Sequence, residues 1–248
     1  MTEPAMRVAE PRRLVWDLPL RLFHWLLAIS IGLLWLTQWF GYERMQNVTL
    51  PFYLDWMTLH MWLGYWTLGL IFFRVLWGFV GPRHARFSSF FPWPKRLIAY
   101  VRALAFGTES KPVGHNPLGS LMVFLMLALV LVQAVSGLFT TDDALAYGPY
   151  NGAGVVSDST ESLLNSLHHS LFNYILAAIA LHVLAIIVYA VALKQNLVGP
   201  MVHGHKPASL VPETEAISSS QWIHAMVAIL IAAAAVYGLL ALAPILGS

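Results

Sequence analysis

Apolar residues run through this chain in long blocks, without the short alternation or the one-sided helical stripes of a soluble fold. Five blocks, at 20–40, 58–80, 118–139, 171–193 and 222–246, each hold about 20 residues, enough to cross roughly 30 Å of hydrocarbon as a helix. Between the second and third blocks, Pro82, Pro92, Pro94, Pro112 and Pro117 oppose a spanning helix. Within that segment, residues 95–106 place Leu97, Ile98, Val101, Leu104 and Ala105 on one helical face and Lys95, Arg96 and Arg102 on the other. This is the pattern of a helix lying in the membrane interface. The first block is longer than a signal-peptide core and no small-residue cleavage pattern follows it, so it is expected to stay as a helix. Trp39, Trp56, Trp77, Trp93 and Trp222 fall at block boundaries and read as an aromatic belt.

Composition agrees. The chain is 58% hydrophobic and 10% charged, with a mean hydropathy of +0.66, which excludes an ordinary soluble domain. Cysteine is absent, which excludes disulfides, thiolate-held iron-sulfur clusters and haem attached through C-x-x-C-H. The net charge of +2 carries little weight, and nothing points to nucleic acid, but the distribution of charge is informative. With the N-terminus in the cytoplasm, every one of the 14 Lys and Arg residues except Arg44 falls on or near the inner side. That asymmetry predicts a multi-pass protein of the bacterial inner membrane with its N-terminus inside. Glu43, Asp55, Asp142, Asp143, Asp158 and Glu161 would make the outer surface acidic, either as solvated loops or as a steering surface for a basic partner.

Ten histidines in so apolar a chain need a reason, because polar groups at membrane depth are costly and face the bundle interior. His24, His60, His168 and His182 sit in or at the ends of predicted spans. His168 and His182 are separated by nearly four helical turns, about 21 Å of rise, and project from one face of the fourth span. His169 points roughly 100° away and is read as a hydrogen-bonding group near the outer surface. Alternate spans run in opposite directions, so His24 lies at the inner level of His182 and His60 at the outer level of His168. Two imidazole pairs at two depths match two stacked haems with both axial positions filled, which favours electron transfer over oxygen binding. Gly64, one turn from His60, and Ala178 and Ala185 beside His182 would let a flat macrocycle approach the backbone. Arg21 and Arg74 are placed to meet haem propionates near the inner level. His84, His115, His203, His205 and His224 read as solvated or interfacial.

These residues also resemble a known family, the bacterial diheme cytochrome b561-type proteins, which include the cytochrome b subunit of membrane-bound nickel-iron hydrogenases. The resemblance lies in Val15-Trp16-Asp17 with Arg21 and His24-Trp25, in His60 with Gly64-Tyr65 and Arg74, and in WGFVGPRHARF from Trp77 to Phe87. It continues in GHNPLG from Gly114, QAVSGLF from Gln133, the fourth span from His168, and KQNLVGPMVHGHK ending at Lys206. It implies a four-helix core with two non-covalent b haems on His24, His60, His168 and His182. It further implies electron exchange between a membrane quinone, ubiquinone or menaquinone, and a periplasmic partner, a hydrogenase-like enzyme or a c-type cytochrome. Relatives often have Glu after the fourth-span ligand, where this chain has His169.

The expectation is therefore an all-α membrane protein: a cytoplasmic tail (1–19), a diheme four-helix transmembrane domain (20–206), and a linker with an extra C-terminal transmembrane helix (207–248). It would act as an electron-transfer oxidoreductase or as a subunit of one. Two further readings stay open, a haem-containing membrane anchor for a peripheral redox enzyme and a metal-ion or proton transporter. Arg74, His115 and Asn116 are weak candidates for a quinone site.

Overall fold

The computed structural model describes residues 10–43, 55–108, 111–142 and 146–246. Its elements, in chain order, are β1 (Arg12–Leu14), α1 (Leu18–Glu43), α2 (Trp56–Val80), α3 (Phe87–Phe90), α4 (Pro94–Ala105), α5 (Pro117–Gly137), β2 (Thr141–Asp142), β3 (Ala146–Tyr147), α6 (Asp158–Val191), α7 (Val198–His203), β4 (His205–Pro207) and α8 (Trp222–Leu246). Among the described residues, helices α1, α2, α5, α6 and α8 are long and apolar enough to cross a membrane, and the chain is an all-α membrane protein. Arg44 and Asp143 lie outside the described residues.

Local chemistry sets the helix starts. Asp17 accepts from Leu20 N at 2.9 Å, Asp55 from Thr58 N at 2.7 Å, Asn116 from Gly119 N at 2.7 Å and Ser157 from Thr160 N at 3.3 Å, each satisfying an amide that the helix leaves free. The Ser157 cap, with Asp158 and Glu161 in the first turn, starts α6 well before residue 171, where the apolar pattern begins. His168 is consequently inside the helix, not at its edge.

Helix α1 packs along α2, α5 along α6, and α2 also packs against α5 and α8. Ile31, Ile71, Val130 and Ile175 join α1, α2, α5 and α6 at the bundle centre. The fifth helix lies outside this four-helix core. It presents Ala225, Ala228 and Ala232 to Leu70, Phe73 and Trp77 of α2, and the small residues allow close approach. Gly69 of α2 faces Val236, and Tyr150 donates to the Leu239 carbonyl at 2.6 Å.

One end of the bundle is closed by chain segments far apart in sequence. Strands β1 and β4 pair antiparallel, with Arg12 opposite Pro207 and Leu14 opposite His205. Arg13 donates to the Val211 carbonyl at 2.5 Å and Ile217 N to the Leu14 carbonyl at 3.0 Å. We call this the basic end, since Arg12, Arg13, Arg83, Arg86 and Lys206 gather there. Trp77 belongs to this core and not to a surface belt: it is fully buried and donates from Nε1 to Asp17 at 3.0 Å. Helix α4 exposes Lys95, Arg96 and Arg102 together with Ile98 and Val101, as an interfacial helix should. A Tyr100–Tyr189 hydroxyl bond of 2.9 Å ties it to α6.

Candidate functional site

Although α6 packs closely on α5, among the described residues it makes no comparable backbone approach to α1 or α2. Imidazoles span the gap that this leaves. The rings of His24 (α1) and His182 (α6) have centroids 6.4 Å apart, and those of His60 (α2) and His168 (α6) are also 6.4 Å apart. Two imidazole nitrogens bonded to one metal ion at about 2 Å each, with each nitrogen roughly 1 Å from its ring centre, require just over ~6 Å. Each pair therefore has room for a single metal ion between the rings. Among the described residues no three His, Cys, Asp or Glu side chains converge as a metal site, so an ion held by either pair finds no third ligand of these types there. An iron porphyrin brings its remaining ligands with it.

The pair far from the basic end opens onto a cavity of about 210 Å³, lined by His60, His168, Gly64, Tyr65, Gln38 and Phe172 among others. A Cβ added at Gly64 would meet no atom within 4 Å, so the glycine borders open space. Gly137 has the opposite role, because a Cβ there would stand 2.7 Å from His168 Cε1, so its absence lets the ring lie against α5.

Both rings are held through Nδ1. Thr37 Oγ1 lies 3.0 Å from His60 Nδ1 and donates its own hydrogen to the Leu34 carbonyl at 2.9 Å. The hydroxyl accordingly accepts from His60, leaving Nε2 with a free lone pair. His168 Nδ1 donates to the Gln133 carbonyl at 2.9 Å, while Gln133 Nε2 returns a bond to the His168 carbonyl at 2.9 Å. Sequence reasoning missed Thr37 and the role of Gln133. The available signal was a polar residue in an otherwise apolar span. His169 also borders this cavity, its ring at 88° to that of His168.

Toward the basic end, His24 Nδ1 is buried without a partner, as are Arg21 Nε and Arg74 Nη1. Arg21 also donates through Nη1 to the Val202 carbonyl. Arg74 is 2% exposed and its guanidinium lies 4.6 Å from the centre of the Phe87 ring. A buried cation with an unpartnered donor is costly and suits an anionic ligand. Of the histidines expected to be solvated or interfacial, His84 is buried and His115 is half-buried with its Nδ1 enclosed. His84 donates from Nε2 to the Glu215 carbonyl at 2.8 Å. His115 sits between Trp16, at 4.7 Å, and Phe90, at 4.4 Å, and burial followed by the neighbouring Arg74 lowers its pKa to about 3. Nothing local signals this, because the covering residues, Glu215 for His84 and Trp16 and Phe90 for His115, come from elsewhere in the chain.

Comparison with known proteins places these features in a family context. The sequence profile of the family described as prokaryotic cytochrome b561 matches residues 15–204. The chain is 29% identical over 211 residues to a protein of Azotobacter chroococcum mcd 1 named probable Ni/Fe-hydrogenase B-type cytochrome subunit, covering 77% of this chain and 86% of that one. A protein of the same name from Rhodobacter capsulatus is 26% identical over 216 residues, with 77% and 80% covered. The probable Ni/Fe-hydrogenase 1 B-type cytochrome subunit of Escherichia coli (strain K12) is 25% identical over 135 residues, covering 50% and 57%. No solved structure matches the chain.

Proposed function

Since the chain belongs to the prokaryotic cytochrome b561 family and is thus a membrane haem protein, we propose that it carries electrons across the bacterial inner membrane between two b haems, one held by His24 and His182 and the other by His60 and His168. The observation that carries this reading is the pair of opposed imidazoles at each of two levels, both anchored on α6, with equal ring separations of 6.4 Å. When bound, each haem supplies one-electron ferric–ferrous chemistry. The chain's own residues do the rest. Thr37 and the Gln133 carbonyl hold Nδ1 of His60 and His168 and so would leave Nε2 of each free to bind the iron, and Gly64 would keep the neighbouring space clear. Arg21 and Arg74 offer buried donors to propionates at the basic end.

The concentration of Lys and Arg at the basic end supports a cytoplasmic N-terminus, which puts His60 and His168 on the periplasmic side. The names of the relatives support a hydrogenase-like enzyme as the periplasmic partner, with a c-type cytochrome as the other candidate. Ubiquinone or menaquinone would exchange electrons at the basic end, beside Arg74, His115 and Asn116.

Purified protein should show reduced b-type bands and two haems per chain by pyridine haemochrome. Alanine at His60 or His168 should remove the periplasmic-side haem, and alanine at His24 or His182 the cytoplasmic-side one. Retention of two haems by all four variants would overturn the assignment. Reduction by a quinol separates an electron conduit from an anchor whose haem is structural.

A further inference from the structure

The two histidine pairs differ in what holds their Nδ1 atoms. On the periplasmic side, His60 Nδ1 donates to Thr37 Oγ1 at 3.0 Å, and the hydroxyl passes its own hydrogen to the Leu34 carbonyl at 2.9 Å. His168 Nδ1 donates to the Gln133 carbonyl at 2.9 Å. Thr37 is 3% exposed, so water does not compete for the bond. On the cytoplasmic side, His24 Nδ1 is buried with no partner, and among the described residues no hydrogen bond reaches the His182 ring.

Resting on the two-haem reading above, we propose that Thr37 is a positioning and tuning residue which, with the Gln133 carbonyl, holds the periplasmic-side haem at a lower reduction potential than the cytoplasmic-side haem. The physical reason lies in the proton of Nδ1. An acceptor that draws on this proton makes Nε2 a stronger electron donor, and a more electron-rich axial ligand favours ferric over ferrous iron. At the other pair no acceptor acts on His24. There the buried guanidinium of Arg74, unpartnered at Nη1 and toward the same end of the bundle, favours the added electron. The two environments push the potentials apart in opposite directions. Transfer from the periplasmic side to the cytoplasmic side becomes the downhill direction.

The test is a redox titration of the membrane-extracted protein followed at the b-type bands, with electron paramagnetic resonance of the low-spin ferric centres. Thr37→Val removes the hydroxyl acceptor, leaving His60 only the weaker reach to the Leu34 carbonyl, and nearly preserves the shape, whereas Thr37→Ser keeps the hydroxyl. The lower of two midpoints should rise in Thr37→Val, return in Thr37→Ser, and leave the higher midpoint in place. In a His24→Ala background, which isolates the periplasmic-side haem, the shift should persist, and in a His60→Ala background it should vanish. Loss of one haem from Thr37→Val with two retained in Thr37→Ser also supports the hydroxyl's role in presenting His60. An unmoved lower midpoint, a shift confined to the higher one, or a failure of Thr37→Ser to restore the wild-type behaviour would overturn it. Wild-type protein with fewer than two haems per chain would instead overturn the two-haem reading, before any Thr37 variant is compared.

Discussion

Gly64→Ala separates a haem pocket from an ordinary packing defect, because the two predict opposite signs. Gly64 lies one turn after His60 and borders the cavity between the pair, and an added Cβ meets no atom within 4 Å. For the polypeptide alone the change is favourable, since alanine in a helix interior is worth roughly 1 kcal/mol over glycine and the methyl enters free space. With a macrocycle in that space the same methyl overpacks the site, at a cost of about 1–3 kcal/mol. At about 1.4 kcal/mol per decade this is a roughly 5- to 150-fold loss of haem affinity. The assay pairs haem content per chain and haem titration of stripped protein with thermal unfolding in the same detergent. The periplasmic-side haem should bind more weakly by that factor, the cytoplasmic-side haem should be unaffected, and the stripped protein should unfold no earlier than wild type. Two haems at undiminished affinity, together with a small gain in stability, would refute the placement of a macrocycle beside Gly64.

Other substitutions probe the supports around the sites. Gly137→Ala would set a Cβ 2.7 Å from His168 Cε1 and 3.0 Å from Nδ1; the ring must retreat from Gln133, weakening the periplasmic-side haem by roughly 10–100-fold, and an unchanged absorption spectrum and haem content would contradict this. Asp17→Ala removes the α1 cap and strands the buried Trp77 N–H, for a total of about 2–4 kcal/mol; thermal unfolding that shifts by less than about 0.5 kcal/mol would show that this contact is incidental. The pKa of His115, lowered from 6.5 to about 3 by burial, favours the neutral ring in the folded protein. Its contribution to stability is thus present above pH 6.5 and lost as pH falls toward about 3, with a slope of up to about 1.4 kcal/mol per pH unit. His115→Leu should flatten that acid limb in unfolding midpoints measured across this range, and superimposable profiles for variant and wild type would count against it.

How much of this was legible in the sequence depends on the distance over which each feature is encoded. The spans are written in runs of neighbouring residues, and α8 has the predicted ends. The histidine pairs were legible because the helical period and the alternation of span direction convert four positions along the chain into two levels and two partners. The start of α6 was not, since its first turns carry Ser159, Thr160, Ser162, Asn165 and Ser166, which interrupt an apolar count without interrupting a helix. Thr37 and Gln133 act across helices, and nothing in their own neighbourhoods distinguishes a ligand's hydrogen-bond partner from a polar residue bonded within its helix. His84, His115 and Trp77 were misread for a related reason, as each is covered at the basic end by residues remote in the chain.

The same distinction explains how α8 contributes although it lies beyond the matched residues 15–204. Helix α2 supplies His60 near one end and Arg74, fourteen residues on, near the other, so its placement governs both levels of the site. One side of α2 borders the gap that the imidazoles span, where it meets α6 through Ile71 and Ile175 at the bundle centre, and closer helix contact there would shut the gap. Bracing has to come from elsewhere, and α1, α5 and α8 provide it. Ala225, Ala228 and Ala232 share a buried cluster with Leu70, Phe73 and Trp77 of α2, and Gly69 faces Val236, which a Cβ added at the glycine would meet at 3.7 Å. In a membrane, where no hydrophobic force drives helices together, such small-residue contacts are what holds one helix against another. The fifth helix thus acts on the site through the position of α2, without contributing a histidine to either pair.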